Sequence, residues 1–346
     1  MNLENYLIAG DVTIRKAMEK LNIGNKILFV VESEKKLIGT ITDGDIRRWI
    51  LASNSIDEPV TKAMNMVPKT VGQNEKSKAR LYIKELKLTA IPVVDDCNHI
   101  VDIVCWDSEG VERARKEIKA PVVLMAGGKG ERLMPYTSIV PKPLIPIGEK
   151  PISELVVESF RKFGCDKFYF TLNYKKNMIK AYYDELERDY SVEYIEEDEP
   201  LGTGGSLFYV KDCVKGTFFV SNCDILLDVD YADVLSFHRK HGNIITVVTS
   251  LKKYTIPYGT VRLDANGRIE QLVEKPSTDY LVNTGVYVLE PEAFDYLKEK
   301  KKIHLTEIVE LCLKDGKNVG TYPIGEDAWM DMGQFEELEK MRKRFF

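Results

Sequence analysis

Histidine is scarce in this chain, 4 in 346 residues, and the six cysteines are scattered. There is no C-x-x-C pair and no metal-ligand spacing between Cys and His, so neither a zinc module nor a disulfide framework is written into the sequence. Cys97, Cys105, Cys165, Cys213, Cys223 and Cys312 therefore read as reduced, mostly structural thiols of an intracellular protein. No run of about 18 apolar residues occurs, and Met1 to Asp11 lacks an apolar core of signal-peptide length, so a cytoplasmic protein without membrane spans is expected. A long basic run is also missing. With 49 basic against 54 acidic residues and a net charge of -5, no global field draws the chain to nucleic acid or an anionic membrane. Any phosphate chemistry must use locally placed cations.

What is present is enough apolar sequence, 44%, to bury a core larger than one average domain supplies. The first third carries a degenerate repeat. Ile27 to Arg47 (ILFVVESEKKLIGTITDGDIR) reads as two strands and a helix start, and Ala90 to Gly110 (AIPVVDDCNHIVDIVCWDSEG) repeats that layout with Val30-Val31 matching Val93-Val94. A helix precedes each pair: Ile14, Met18 and Leu21 in one copy, Ala79, Tyr82, Ile83 and Leu86 in the other, fall at helical spacing. This pattern, with its GTITDGD run, resembles a tandem pair of cystathionine-β-synthase-type (CBS) modules, an α+β regulatory unit. The resemblance implies a site for an adenine or guanine nucleotide effector carried by Thr42 and Asp45. In the second copy Asp102, Cys105 and Ser108 stand at the positions of Gly39, Thr42 and Asp45, so the motif is largely lost there and one nucleotide site is expected rather than two. A purely structural or dimer-forming pair is the alternative.

Asp107 to Lys119 is charged and helix-prone and reads as a connector, after which the pattern changes. Pro121 to Ala126 reads as an apolar strand ending in a glycine loop. Ile152, Leu155, Val156, Phe160 and Phe163 mark a helix stopped at Gly164, and Lys167 to Leu172 marks the next strand. Continued alternation through Ile244 to Thr249 predicts a mostly parallel sheet covered on both faces, with ligands beyond the carboxyl ends of its strands. The expected boundaries are 1–118 for the repeat, divided at 57/58, and 119–346 for the α/β domain. His238 and His241 fall on a predicted surface helix and read as solvent-facing or structural.

The most informative stretch is Leu124 to Gly148, LMAGGKGERLMPYTSIVPKPLIPIG. Gly127, Gly128 and Gly130 allow backbone N–H groups close to phosphate oxygens, Arg132 offers a fork of donors, and Lys142 is a point charge held between Pro141 and Pro143. The spacing matches neither G-x-x-x-x-G-K-[ST] nor G-x-G-x-x-G. AGGKGERL with PKPLIPIG resembles the signature of sugar nucleotidyltransferases, the nucleoside-diphosphate-sugar pyrophosphorylases, and the resemblance runs from Pro121 to about Arg342. It implies a Rossmann-like, GT-A-like α/β fold.

The same resemblance assigns roles. Leu124, Ala126 and the three glycines would hold the nucleotide, with Glu199 and Gly202 of EPLGTGGSL forming the base-recognising turn. Asp224 after the strand Phe218 to Val220, and Asp331 in Trp329-Met330-Asp331-Met332-Gly333, would hold magnesium. Gly259 and Glu274 would contact sugar hydroxyls, Lys275 the sugar phosphate, and Asn283, Thr284 and Gly285 would close the sugar pocket; Asn173 is a further candidate there. The implied reaction joins an NTP to a sugar 1-phosphate, with Arg132, Lys142 and Lys275 as catalytic cations and no protein nucleophile. Phe335 to Lys343 reads as a charged helix without hexapeptide repeats, unlike the acetyltransferase-fused uridylyl enzymes. The CBS fusion resembles guanylyltransferases of cell-surface sugar pathways, such as glucosamine-1-phosphate guanylyltransferases, and implies a homo-oligomer. Mannose or heptose 1-phosphate with GTP, and thymidylyl, uridylyl or cytidylyl variants, stay open. A sensor that binds a nucleotide sugar without turnover would be expected to have lost some of Arg132, Lys142, Asp224, Lys275 and Asp331, and all five are present.

Overall fold

The computed structural model describes residues 3–22, 26–86, 88–105 and 116–333. Ser108, most of the expected connector and the expected helix Phe335 to Lys343 lie outside the described residues. The chain divides into two compact units, Met1–Ala114 and Arg115–Phe346.

The first unit contains β1 (Leu7–Ala9), α1 (Ile14–Asn22), β2 (Ile27–Val31), β3 (Leu37–Thr42), α2 (Asp43–Leu51), β4 (Val71–Gly72), α3 (Ala79–Glu85), β5 (Ala90–Val94) and β6 (Ile100–Cys105). It forms two three-stranded sheets, β1-β2-β3 and β4-β5-β6. In each, the first pair is parallel and the second antiparallel. The repeat extends to the register. Val30 pairs with Gly39 as Val93 pairs with Asp102, Ile27 with Thr42 as Ala90 with Cys105, and each ladder has an irregularity at its second valine. The short strands β1 and β4 carry too few residues to show a period and escape sequence reading. Leu7, Phe29 and Val31 of the first copy share one apolar cluster with Val94, Ile100 and Ile103 of the second, so the copies fold as one body. Leu86 departs from its expected stripe: α3 ends at Glu85 and Leu86 is exposed.

Thr42 and Asp45 form a capping box on α2. The Thr42 hydroxyl accepts from Asp45 N at 3.3 Å, while one Asp45 carboxylate oxygen accepts from Thr42 N at 2.8 Å and from Thr42 Oγ1 at 2.6 Å. Arg48 pairs with the other carboxylate oxygen. Both side chains thus have a helix-starting function here.

The second unit runs β7 (Val122–Met125), α4 (Tyr136–Ile139), β8 (Pro146–Ile147), β9 (Lys150–Pro151), α5 (Ile152–Arg161), β10 (Lys167–Leu172), α6 (Lys176–Glu185), β11 (Ser191–Glu196), α7 (Gly202–Gly205), β12 (Phe218–Asn222), β13 (Ile225–Leu227), α8 (Tyr231–Lys240), β14 (Ile245–Thr255), β15 (Thr260–Leu263), β16 (Ile269–Val273), β17 (Ser277–Leu289), α9 (Leu305–Lys314), β18 (Val319–Ile324) and β19 (Trp329–Asp331). Its seven-stranded sheet has the order β11-β10-β7-β12-β17-β14-β18. Only β17 runs against the rest. β7 is buried throughout, as a central strand covered on both faces must be: Val122 and Leu124 face one apolar cluster, Val123 and Met125 the other. Beyond the sheet, β15 and β16 pair only with each other, and Val261, Leu263, Ile269 and Leu272 are at least half exposed. Among the described residues no helix is long and apolar enough to cross a membrane.

The strand order explains where ligands can sit. β7, β10, β11 and β12 all deliver their carboxyl ends to one edge, and antiparallel β17 brings Asn283 to Gly285 to the same edge from the other direction. The opposite edge holds a buried polar knot. His238 is fully buried, with Nδ1 2.8 Å from Thr246 Oγ1 and Nε2 3.1 Å from Glu290 Oε1, which also accepts from Thr217 Oγ1 at 2.8 Å. It is structural; the solvent-facing alternative fails because α8 turns His238 onto the sheet.

Burial drives the His238 pKa down, outweighing the nearby Glu290 carboxylate. The unfolded chain then binds the extra proton more readily. Stability from this group is complete above the unfolded value of about 6.5 and is lost as pH falls below it toward the folded value. Urea unfolding of the wild type should weaken through this range, and His238→Gln should flatten that part of the profile.

Candidate active site

The glycine loop leaves β7 at Met125. Gly130 has φ +66, and a Cβ there would stand 2.8 Å from Thr137 Cγ2, so this position needs glycine. A Cβ on Gly128, in contrast, would meet nothing within 4 Å, and Gly127 lies against the Asn173 backbone and the Glu197 carboxylate. The turn Glu131–Leu133 follows, with Leu133 buried as its anchor and Arg132 exposed beside it. Lys142 opens the turn Lys142–Leu144. Pro141 fixes its entry, and buried Pro143 is tied down by Ser153 Oγ donating to its carbonyl at 2.7 Å.

Asp224 follows β12, and β13 then pairs antiparallel with β19, placing Ile225 opposite Asp331. Met332 N donates to Asp224 O at 3.1 Å, so the two aspartates are fixed side by side by backbone. Lys142 Nζ bonds the Asp224 carboxylate, with side-chain exposures of 15% and 10%. Burial works against the Lys142 cation, but Asp224 and then Asp331 outweigh it and its pKa is raised. The Asp331 pKa is raised by burial and by the Asp224 charge, against the pull of the Gly333 N–H, Lys142 and Arg132. Burial pushes the Cys223 thiol up to about 12, which keeps it out of thiolate chemistry near neutrality.

A cavity of about 310 Å³ opens at this strand edge, lined by Arg132, Asp224, Asn283, Thr284, Gly285 and Asp331 among others. Lys142 reaches it through Asp224. The structure thus assembles two of the three expected cations with both expected carboxylates. Lys275 is exposed, has a left-handed φ of 47° where the chain turns from β16 to β17, and does not line this cavity. Gly259 and Glu274 lie together on the same arm, within contact of each other, and also outside the lining. Asn173 donates to Glu197 O at 2.9 Å and ties β10 to β11.

Sequence reasoning missed several residues. Tyr287, His304 and Thr306 line the cavity. Tyr287 shares a face of β17 with Asn283, whose amide bonds its hydroxyl, and alternation could have revealed it. His304 and Thr306 arrive by a long-range contact. Gly204 N and Gly205 N donate to Ile303 O at 3.0 and 2.9 Å, and Leu305 N donates to Thr203 Oγ1 at 3.1 Å. Cβ atoms on Gly202, Gly204 or Gly205 would come within 2.5–2.9 Å of backbone carbonyls of residues 301–304. The glycines of LGTGG are therefore required for this close docking. At the same turn Glu199 is exposed, and the buried carboxylate is Glu197, 4% exposed, with Oε2 3.4 Å from Leu201 N.

A family model described as Nucleotidyl transferase matches residues 121–345. The chain belongs to the nucleotidyl transferase family. A CBS domain model matches residues 3–52, the first copy of the repeat. Mannose-1-phosphate guanyltransferase of Schizosaccharomyces pombe is 31% identical over 221 residues, 61% of this chain and 60% of that protein. UTP--glucose-1-phosphate uridylyltransferase of Synechocystis is 31% identical over 232 residues, covering 61% and 60%. The nucleotidyl transferase member thus spans about three fifths of the length of these relatives. The crystal structure of HddC from Yersinia pseudotuberculosis superposes with a TM-score of 0.53 at 23% identity, over 66% of this chain and all of that one, which shows a shared fold.

Asp224→Asn should leave the part-buried Lys142 ammonium without its direct partner, facing only the Asp331 charge, and cost about 1–3 kcal/mol of unfolding free energy. Adding Lys142→Met should recover much of that loss in urea titrations, because the uncompensated charge is then gone.

Proposed function

We propose that this chain transfers a nucleoside monophosphate from an NTP to a sugar 1-phosphate, releasing pyrophosphate and forming a nucleoside-diphosphate sugar. The observation that carries this reading is the convergence of Arg132 and Lys142 with Asp224 and Asp331 on one strand-edge cavity. A phosphate oxygen of the sugar 1-phosphate attacks the α-phosphorus in line, a new P–O bond forms, and the bond to the bridging oxygen of pyrophosphate breaks. The attacker is already an anion, so no side chain has to remove a proton. The barrier is repulsion: two unit charges about 4 Å apart interact by roughly 4 kcal/mol at an effective dielectric near 20. Lys142, charged and partly buried, lowers that repulsion at the reacting phosphates, and Arg132 at the exposed rim offers its donor fork to the departing pyrophosphate.

Asp224 and Asp331 fit a divalent cation, since burial and the Asp224 charge raise the cost of charge on Asp331 and both side chains open on the same cavity. Magnesium, a hard ion that takes one or two carboxylates plus substrate phosphates, would neutralise the polyphosphate there.

GTP is the preferred donor in this reading. The guanylyltransferase relatives agree, and the acceptor would be a hexose or hexosamine 1-phosphate, mannose 1-phosphate included, for cell-surface glycan synthesis in the cytoplasm. In this reading Lys275, Gly259 and Glu274 meet the sugar 1-phosphate. A homo-oligomer, and an adenine or guanine nucleotide effector at Thr42 and Asp45, complete the proposal. Since those two residues cap α2, their removal would cost about 1 kcal/mol of helix stability, so the effector is better sought by titrating nucleotides against the wild type.

A pyrophosphate-release screen of four triphosphates against a panel of sugar 1-phosphates with magnesium tests the reaction. Turnover with GTP is expected, and its absence with every pair would refute the reading. In the active pair, Arg132→Ala and Asp331→Ala should each lower kcat/KM by roughly a hundredfold or more.

A further inference from the structure

The stretch between the glycine loop and Lys142 buries few of its own side chains. Within residues 131–140 only Leu133 and Thr137 are buried, whereas Met134, Tyr136 and Ile139 are 53%, 56% and 72% exposed. Yet this stretch carries Arg132 and leads into Lys142, the two cations of the cavity. Beyond Leu133 and Thr137, its placement draws on the turn that follows β10. Tyr174 N donates to Gly127 O at 3.3 Å, and Tyr174 Oη donates to Thr137 O at 3.1 Å. Lys175 Nζ donates to Ser138 O at 2.5 Å and Ile139 O at 2.7 Å. Thr137 Oγ1 in turn donates to Gly130 O at 2.9 Å, which carries the tie back to the glycine loop.

Lys175 makes these bonds from an unusual backbone. It precedes α6 in the left-handed region, φ 49° and ψ 33°, where glycine would turn the chain without strain. The two bonds of its side chain can offset that strain. Its ammonium sits at the C-terminal end of α4, a helix of four residues whose last carbonyls have no partners within the helix and carry partial negative charge.

We propose that Tyr174 and Lys175 are positioning residues: together they latch the loop from Gly127 to Ile139 so that Arg132 and Lys142 are presented to the triphosphate. Neither touches the reacting atoms; they act through the loop. The role rests on the proposed nucleotidyl transfer at this cavity, because it assigns the loop to the triphosphate.

The test compares Lys175→Met, Lys175→Gly, Lys175→Arg and Tyr174→Phe in the full chain, reading KM for each substrate, kcat, and melting temperature with and without triphosphate and magnesium. Lys175→Met should lower kcat/KM for the triphosphate by roughly ten- to a hundredfold, with the triphosphate KM rising more than that of the sugar phosphate. Tyr174→Phe should move the same way by less, and Lys175→Arg should restore most of the loss. Lys175→Gly separates positioning from stability: it removes the left-handed strain, so it should melt no lower than the wild type and still be as slow as Lys175→Met. Wild-type kinetics in both the Met and Gly variants, or activity that follows melting temperature across the series, would overturn the latch. Should the wild type turn over no triphosphate at all, the reaction reading fails by itself. The latch is then decided by the rise in melting temperature that magnesium triphosphate gives, expected to be smaller in Lys175→Met than in the wild type; an equal rise overturns it.

Discussion

A part-buried ammonium held against a carboxylate at the end of a central strand is the constraint on which the second unit's chemistry depends. Lys142 and Asp224 come from opposite ends of a long stretch of sequence, and each would be costly alone in so little water. Their pairing requires β12 to end where the Pro141–Pro143 turn passes, and this follows from β7 lying beside β12 in the sheet. Asp331 adds a second negative charge beside the pair. The result is a site whose charges nearly balance before any polyanion enters, with one further cation, Arg132, at the rim.

Backbone packing sets the other side of the cavity. The LGTGG turn lies flush on residues 301–304, close enough that a Cβ on any of its three glycines would collide with a carbonyl. Because that contact fixes the start of α9, the same glycines that shape the turn also place His304 and Thr306 at the cavity. The turn and the helix start therefore behave as one wall, and a change in either moves both.

Features written in local pattern were legible in the sequence. The repeat in the first unit could be aligned on two valine pairs, and the ladders confirm that alignment residue for residue through Asp102 and Cys105. The strand Lys167–Leu172 and the helix ending before Gly164 were equally plain, since period and terminator agree. The carboxylates and two of the cations were found through motif resemblance, and their convergence needed the sheet order. What escaped was set by distant partners. His238 is buried by the way α8 lies on the sheet, Glu197 by the docking of its own turn, and Lys175 shows its use only when Ser138 and Ile139 are seen at its ammonium. Lys275 is not among the residues that line the cavity, and its motif alone does not fix where its side chain lies.

The pairing of β13 with β19 has a consequence for the order of assembly. β19 is the final strand of the described residues, so a chain emerging from the ribosome presents Asp224 long before Asp331 can reach it. During that interval Lys142 is already made and can serve as the counter-ion for Asp224. The cleft can thus close around a neutralised carboxylate while the chain is still growing, and its second carboxylate arrives only with β19.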